Sequence, residues 1–196
     1  MESLFGMAKK KMKKTKTNMK YYRSSVLPDI IAFIPTVYED ERGCFFESYN
    51  SILRDLMNAD IVQENHSVSN KDVLRGLHYQ WDKPMGKLCR AVRGKLMDYV
   101  VDIRKDSPTY GQFVAEELTA SNKRMLFIPP GFAHGFATLE DNTIFTYKCT
   151  DYYHPEAEGG ILWNSPSLNI PWRLENPVLS AKDEQLTDFA HFNSPF

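Results

Sequence analysis

The sequence predicts an all-β domain built as an antiparallel sandwich or jelly roll. From Asp29 onward, short β-prone runs are separated by Gly, Pro, Asn and Asp, which is typical of chains that form antiparallel sheets. Residues 95–104 show the two-residue period of a strand, with Met97, Tyr99 and Val101 at one parity and charged side chains at the other. About ten such runs occur, a number that suits a jelly roll. We expect strands with one apolar face and one functional or wet face.

The expected elements follow one another along the chain with short connections. One helix is expected at residues 51–57, where four apolar side chains recur at helical spacing after Asn50, a residue type that caps helices. The segment from Trp172 onward is irregular and interrupted by proline, so we expect it to wrap the surface or to lie across a mouth of the barrel. The expected strands are residues 43–49, 60–68, 73–80, 88–92, 95–104, 113–118, 124–128, 135–139 and 143–153.

The first 20 residues differ in composition from the rest of the chain. They hold seven lysines and no apolar stretch long enough for the core of a signal peptide. Such charge blocks are usually solvated, so we interpret residues 1–20 as a basic, disordered tail and residues 21–196 as one domain. Docking of this tail to a membrane or to nucleic acid is the alternative interpretation.

Composition argues against several classes of protein. The net charge of −1 creates no field that would attract nucleic acid, and the apolar runs are far shorter than the roughly 20 residues of a membrane-spanning helix. Cys44, Cys89 and Cys149 are odd in number and lack CxxC spacing. We therefore expect no nucleic-acid or membrane partner, neither a disulfide framework nor a zinc site, and a reducing cytoplasmic compartment.

Two segments resemble the double-stranded β-helix shell of the cupin fold. Metal-binding cupins carry HxH followed by Glu on one hairpin and a PxGxxH-like turn on another. Here His78 is followed by Gln80 where the second His should stand, and no Glu occurs between Gln80 and Gly94. The turn retains Pro129, Gly131 and His134. Because a stable zinc or iron site generally takes at least three protein ligands, we expect a shell of this type without its metal.

Six ordered runs make the resemblance specific. They read DERGCFFE (40–47), VQENHSVS (62–69), VLRGLHYQ (73–80), VDIRKDSPTYG (101–111), IPPGFAHGF (128–136) and YKCTDYY (147–153), and they resemble the dTDP-4-dehydrorhamnose 3,5-epimerase family. GILWNSPSLNIPW (160–172) and LSAKD (179–183) extend the match. The resemblance implies a jelly-roll homodimer without a cofactor. It also implies inversion of C3 and C5 in dTDP-4-dehydro-6-deoxy-D-glucose, giving dTDP-4-dehydro-L-rhamnose.

Epimerisation beside a ketone needs a base on one face of the sugar, an acid on the other, and a positive or hydrogen-bonding group at the enolate oxygen. By resemblance, His78 is the base, Tyr147 the acid and Lys87 the group near the ketone. Asp183 matches the carboxylate that orients His78, although it could equally be a surface carboxylate in a loop. Asp102 is another candidate for that role, but a structural hydrogen-bonding role suits it better.

Further positions match substrate-binding residues of the family, and two of them raise questions of geometry. Arg75 matches a diphosphate contact but has the opposite strand parity to His78, so a bulge at Gly76 is expected to turn both inward. Tyr153 matches a contact to the sugar, and it can reach the same sugar as Tyr147 only if the strand ends or bends between them, since six extended residues span about 20 Å. The other matching positions are Gln63, Asn65 and His134.

A separate set of positions lies in the segment that, in the family, reaches the nucleotide of the partner subunit. Arg42 is expected to bind phosphate, Phe45 to stack on the base, and Glu47 to belong to the same site; alternatively, Arg42 and Gly43 make a simple turn. The sequence departs from the family pattern at Met85, where Gln is common, and at Ser165, where Asp is common.

Three other functions remain open from sequence. One is an epimerase that inverts only C3 or only C5, or acts on another nucleotide-linked 4-keto sugar. Another is a metal-dependent cupin oxygenase, which the missing HxH and Glu argue against. The last is a non-catalytic sugar-binding module, which the joint presence of base, acid and lysine disfavours.

Overall fold

The fold is a sandwich of two antiparallel sheets, described by a computed structural model that covers residues 12–15 and 19–196. The described strands are β1 (Lys13–Lys14), β2 (Lys20–Arg23), β3 (Ile31–Ile34), β4 (Tyr38–Asp40), β5 (Gly43–Phe45), β6 (Gln63–Ser69), β7 (Leu74–Gln80), β8 (Lys87–Arg93), β9 (Lys95–Asp102), β10 (Phe113–Thr119), β11 (Met125–Ile128), β12 (Phe132–Thr138), β13 (Thr143–Cys149) and β14 (Glu158–Gly160). The α-helix α1 spans Ser51–Met57, and 3-10 turns occupy Pro155–Ala157, Asp183–Gln185 and Phe189–His191.

The larger sheet has seven strands in the order β1-β2-β3-β11-β8-β13-β6, and the smaller has five in the order β10-β9-β12-β7-β14. All of these neighbours pair antiparallel. Strands β4 and β5 form a separate hairpin. The predicted all-β jelly roll is therefore confirmed. Among the described helices, none is long and apolar enough to cross a membrane.

Three apolar clusters hold the layers together. The first lies between the sheets and includes Val100 and Phe145. The second covers the outer face of the five-stranded sheet, where Met97 and Tyr99 of β9 pack under the C-terminal segment. In the third, Leu53 of α1 packs on the seven-stranded sheet.

Strand β9 is buried on both faces, so the expectation that its second face is functional or wet needs correction. The side chains of β9 alternate between the two faces as predicted, but the C-terminal segment covers one face and the opposite sheet covers the other. Asp102, at the end of this strand, accepts hydrogen bonds from the side chains of Arg104, Ser107 and Thr109. Asp102 therefore has the structural hydrogen-bonding role that was expected from the sequence.

Helix α1 has the bounds that the sequence predicts. The side chain of Asn50 accepts hydrogen bonds from the backbone amides of Ile52 and Leu53, so it satisfies amide groups that the first helical turn leaves unpaired. The helix ends at Asn58, which adopts the left-handed conformation.

The start of the fold differs from the predicted boundary at Tyr21. Lys13 and Lys14 pair with β2, and Met19 is buried, so the described residues before Tyr21 already belong to the larger sheet. The rest of the predicted tail, residues 1–11 and 16–18, lies outside the described residues. At the other end, the chain after Trp172 is irregular and wraps the five-stranded sheet, as expected.

Candidate active site

A cavity of about 560 Å³ opens between the two sheets. It gathers titratable side chains from both layers and from the C-terminal segment. Its polar lining consists of Arg75, His78, Lys87, His134, Tyr147, Tyr153, Glu158, Ser180, Lys182 and Asp183. Seven of the predicted site residues are in this set, although they are spread over more than 100 positions of the chain.

The predicted base and acid lie on opposite walls of the cavity. His78 belongs to β7 of the five-stranded sheet, whereas Tyr147 belongs to β13 of the seven-stranded sheet. The cavity of about 560 Å³ between them is large enough to hold a sugar ring. Lys87 lies on the same wall of the cavity as Tyr147, with its Nζ atom 5.8 Å from the centre of the tyrosine ring.

His78 forms a charge-assisted pair with Asp183. The Nε2 atom of His78 lies 2.6 Å from Oδ1 of Asp183, and the carboxylate side chain is only 4% exposed. Burial alone would raise the pKa of Asp183, but the hydrogen bond and charge of His78 hold that pKa below its usual value. An ionised Asp183 keeps the proton of the neutral imidazole on Nε2, which leaves Nδ1 free to accept a proton.

A bulge in β7 turns both Arg75 and His78 toward the cavity, as the sequence predicted. Arg75 is opposite Phe136 and His78 is opposite His134, so two residues of β7 face one residue of β12 between these pairs. Gly76 makes the bulge possible because it has φ of +116°, and a Cβ atom there would lie 2.5 Å from Cα of Gly135. The two backbones can approach this closely only with glycine at this position.

The predicted acid is a partly buried phenol with a polar neighbour. Burial raises the pKa of Tyr147, while a hydrogen bond with Asn65 acts in the opposite direction. Asn65 is opposite Tyr147 on the edge strand β6, and its Oδ1 accepts a hydrogen bond from Nε2 of Gln63 at 2.8 Å. Gln63 and Asn65, which were expected to bind substrate, are not among the residues that line the cavity and instead support the acid from the neighbouring strand.

Tyr153 reaches the cavity because β13 ends at Cys149, four residues before it. The strand predicted at 143–153 is thus shorter, and the chain bends before Tyr153. The Tyr153 hydroxyl donates a hydrogen bond to Oε2 of Glu158 at 2.8 Å, and Lys182 pairs with the same carboxylate.

Sequence reasoning missed Glu158 and Lys182, although both line the cavity. Glu158 enters through the three-residue strand β14, which pairs with β7 and has no recognisable pattern of its own. Lys182 lies next to Asp183 in the matched run LSAKD, so that run was the only signal available for it.

His134 lies deep in the cavity beside a buried carboxylate. Its Nε2 atom is 2.7 Å from Oδ1 of Asp98, and both side chains are buried. Burial lowers the pKa of His134, an effect that the charge of Asp98 opposes. The imidazole is therefore neutral near pH 7.

The structure does not bring Arg42, Phe45 and Glu47 to this cavity. Arg42 and Phe45 are exposed in the β4–β5 hairpin, where they line a separate depression of about 500 Å³. Arg42 pairs with Asp40 across a tight turn, which agrees with the alternative that this run makes a simple turn. Glu47 accepts a hydrogen bond from Asn50 at the start of α1.

The two departures from the family pattern lie away from the cavity lining. Met85 is in the loop between β7 and β8. The hydroxyl of Ser165 is buried, donates to Asp188 at 2.9 Å and accepts from the amide of Phe189, so it fastens the C-terminal segment.

Comparisons with known proteins agree with this geometry. The model of the family described as dTDP-4-dehydrorhamnose 3,5-epimerase matches residues 24–191. The dTDP-4-dehydrorhamnose 3,5-epimerase of Pseudomonas aeruginosa is 51% identical over 170 residues, which cover 84% of this chain and 93% of the relative.

Solved structures of related epimerases share the fold. A dTDP-6-deoxy-D-glucose-3,5-epimerase from Legionella pneumophila, in complex with dTDP-4-keto-L-rhamnose, has a TM-score of 0.83 at 41% identity and covers 93% of this chain and 94% of its own. A 3'-monoepimerase from Streptomyces bikiniensis, in complex with dTDP-quinovose, has a TM-score of 0.79 at 30% identity and covers 83% of this chain and 85% of its own.

Proposed function

The chain belongs to the dTDP-4-dehydrorhamnose 3,5-epimerase family, and we propose that its cavity carries out the family's reaction with His78 as base and Tyr147 as acid. The protein is an isomerase that inverts C3 and C5 of dTDP-4-dehydro-6-deoxy-D-glucose. The observation that carries the assignment of roles is the placement of His78 and Tyr147 on facing sheets around one cavity.

The first step removes a proton from a carbon next to the ketone. Nδ1 of His78 takes that proton, and the electron pair of the broken C–H bond moves toward the carbonyl to form an enolate. Asp183 stabilises the resulting imidazolium through the 2.6 Å hydrogen bond at Nε2. Lys87 supplies a positive charge for the enolate oxygen, which is worth more in a cavity that excludes water.

The second step returns a proton to the opposite face. The phenol of Tyr147 gives its proton to the carbon, the ketone re-forms, and the configuration of that carbon is inverted. The phenolate then regains a proton from solvent, and the imidazolium of His78 loses one. Since burial raises the pKa of Tyr147, the phenol is protonated at neutral pH and is ready to act as an acid.

The remaining polar residues of the cavity bind the nucleotide sugar. Arg75, near the start of β7, lines the cavity, and its guanidinium can donate two parallel hydrogen bonds to diphosphate oxygens. His134 and Tyr153 contact the sugar. Gln63 and Asn65 support the wall of the cavity that carries Tyr147. No cofactor takes part, because proton transfer between side chains and carbon is sufficient for the inversion.

The protein acts as a homodimer in this proposal. The β4–β5 hairpin exposes Tyr38 and Phe45, and large exposed aromatic side chains on a projecting hairpin suit a contact with a second copy. The hairpin would then bring Arg42, Phe45 and Glu47 to the nucleotide of the partner. Sedimentation equilibrium should give twice the 22.7 kDa mass of the chain, and a fully active monomer would contradict the proposal.

The three free cysteines suit a reducing compartment, so we place the reaction in the cytoplasm. Cell fractionation that finds the active protein outside the cytoplasm would contradict this placement.

Incubation with the 4-keto sugar in deuterated water tests the reaction and the base together. Tyrosine and histidine protons exchange with solvent, so each inverted carbon gains one deuterium. The wild type should label C3 and C5, whereas one labelled carbon would indicate a monoepimerase such as the Streptomyces bikiniensis relative.

His78→Asn should abolish both labelling and inversion while nucleotide-sugar binding stays measurable. His66→Asn is the matched control, because His66 is exposed on β6, and it should label like the wild type. Deuterium uptake by His78→Asn would show that another group is the base.

A further inference from the structure

Three metal-ligating side chains meet in the interior beside the cavity. They are Cys89 of β8, Asp98 of β9 and His134 of β12, and one ligand atom of each lies within 4.8 Å of the others. Cys89 and Asp98 are completely buried, and His134 is 6% exposed. The cluster spans both sheets, because β8 belongs to the larger sheet and β9 and β12 belong to the smaller.

The carboxylate in this cluster is poorly satisfied. Oδ1 of Asp98 is 2.7 Å from Nε2 of His134, a short ion-pair contact that is poorly aligned as a hydrogen bond. Within the part of the chain that the structure describes, neither oxygen of Asp98 has a well-aligned hydrogen-bond donor. Burying a carboxylate without aligned donors is costly, so a positive ion at this point would be stabilised.

The donor set is the one that zinc prefers. Cysteine, histidine and aspartate side chains all bind zinc, with bonds of about 2.0–2.3 Å. Burial and the charge of Asp98 raise the pKa of the Cys89 thiol, so the thiol would release its proton to solvent when the metal binds. The 2.7 Å between Nε2 of His134 and Oδ1 of Asp98 is shorter than the roughly 3.3 Å between ligand atoms of a tetrahedral ion, so these two groups would move apart around it. Three protein ligands and one open position are typical of zinc sites that stay accessible. The His134 side chain lines the cavity although its Nε2 atom is buried, so an ion bound to this imidazole would lie directly behind the cavity wall.

We propose that Cys89, Asp98 and His134 form a binding site for Zn²⁺ that inhibits the enzyme reversibly. The ion binds Nε2 of His134 and replaces the direct contact between this atom and Asp98, which becomes a ligand of the ion. Inhibition rests on the proposed role of His134 in binding the sugar, whereas metal binding itself does not. Catalysis needs no metal, so chelation leaves activity intact. The sequence predicted no zinc site, because its cysteines lack CxxC spacing and the second His and the Glu of the metal-binding cupin pattern are missing.

Cobalt serves as the probe of metal binding in the absence of substrate. Co²⁺ occupies tetrahedral zinc sites, and a cobalt–thiolate bond produces a charge-transfer band in the near ultraviolet. The measurements use a Cys44→Ser parent, which removes the exposed thiol. The parent should show the band, and addition of zinc should abolish it.

Two variants locate the site within that parent. Cys89→Val keeps an apolar side chain of similar size and should lose the band, with zinc affinity at least about 100-fold weaker. Cys149→Ala is the matched control, because Cys149 is also buried but lies outside the cluster, and it should retain the band. Absence of the band in the parent, or its persistence in Cys89→Val, would overturn the proposal.

Inhibition is measured separately, by titrating zinc against epimerisation of the parent and of Cys89→Val. The parent should lose activity in the range where the cobalt band is displaced, and Cys89→Val should need about 100-fold more zinc. Cobalt binding without inhibition by zinc would overturn the inhibitory role proposed for the site, and it would also count against the role of His134 in sugar binding.

Discussion

Replacing Tyr147 by Phe should separate proton removal from inversion. The variant keeps the ring, which lies 5.6 Å from that of Phe145, and removes only the hydroxyl. His78 on the opposite sheet can still form the enolate, and it can return a solvent-exchanged proton to the face from which the first proton came. We therefore expect deuterium uptake with retained configuration.

The expected size of the effect follows from what the hydroxyl does. Its loss removes a hydrogen bond with Asn65, which contributes about 1 kcal/mol to stability. Loss of a general acid lowers the rate of inversion by about 10²–10⁴-fold, or about 3–5 kcal/mol in the barrier. Because the effect on catalysis is larger, unfolding of the variant does not account for it.

The assay is nuclear magnetic resonance of the sugar product in deuterated water, which reports both labelling and configuration. Tyr110→Phe is the control, since Tyr110 stacks on Phe189 outside the cavity, and it should behave like the wild type. Inversion by Tyr147→Phe at the wild-type rate would refute the assignment of the acid.

Two further predictions concern the carboxylates. Asp183→Asn removes the charge 2.6 Å from His78 and should lower kcat by about 10²–10⁴-fold with little change in the KM of the nucleotide sugar; an unchanged kcat would refute its positioning role. Burial alone would raise the pKa of Asp102, but hydrogen bonds from Arg104, Ser107 and Thr109 hold it at about 2. Because this folded-state pKa is below the unfolded value, the carboxylate contributes about 2 kcal/mol of stability above about pH 4, lost as the pH falls toward 2. Denaturant unfolding at a series of pH values should show this decline, and Asp102→Asn should flatten it.

Local patterns in the sequence determined most of the framework. Short β-prone runs separated by Gly, Pro, Asn and Asp predicted strands β6 to β13 to within a few residues at most ends, because strand propensity and turn chemistry are local properties of the chain. The helix bounds followed from Asn50, which satisfies backbone groups a few residues away. Strands β1 to β4 were not among the predicted strands, and β14 was missed because its three residues carry no periodic pattern.

Only the tertiary structure decided which of the candidate residues act together. Asp183 is 105 residues from His78, and no local rule distinguished it from a surface carboxylate until the C-terminal segment placed it against β7. The cluster of Cys89, Asp98 and His134 was likewise invisible from spacing. The physical reason is that strand period determines the face on which a side chain lies, whereas sheet order, register and packing across the sandwich determine which faces meet.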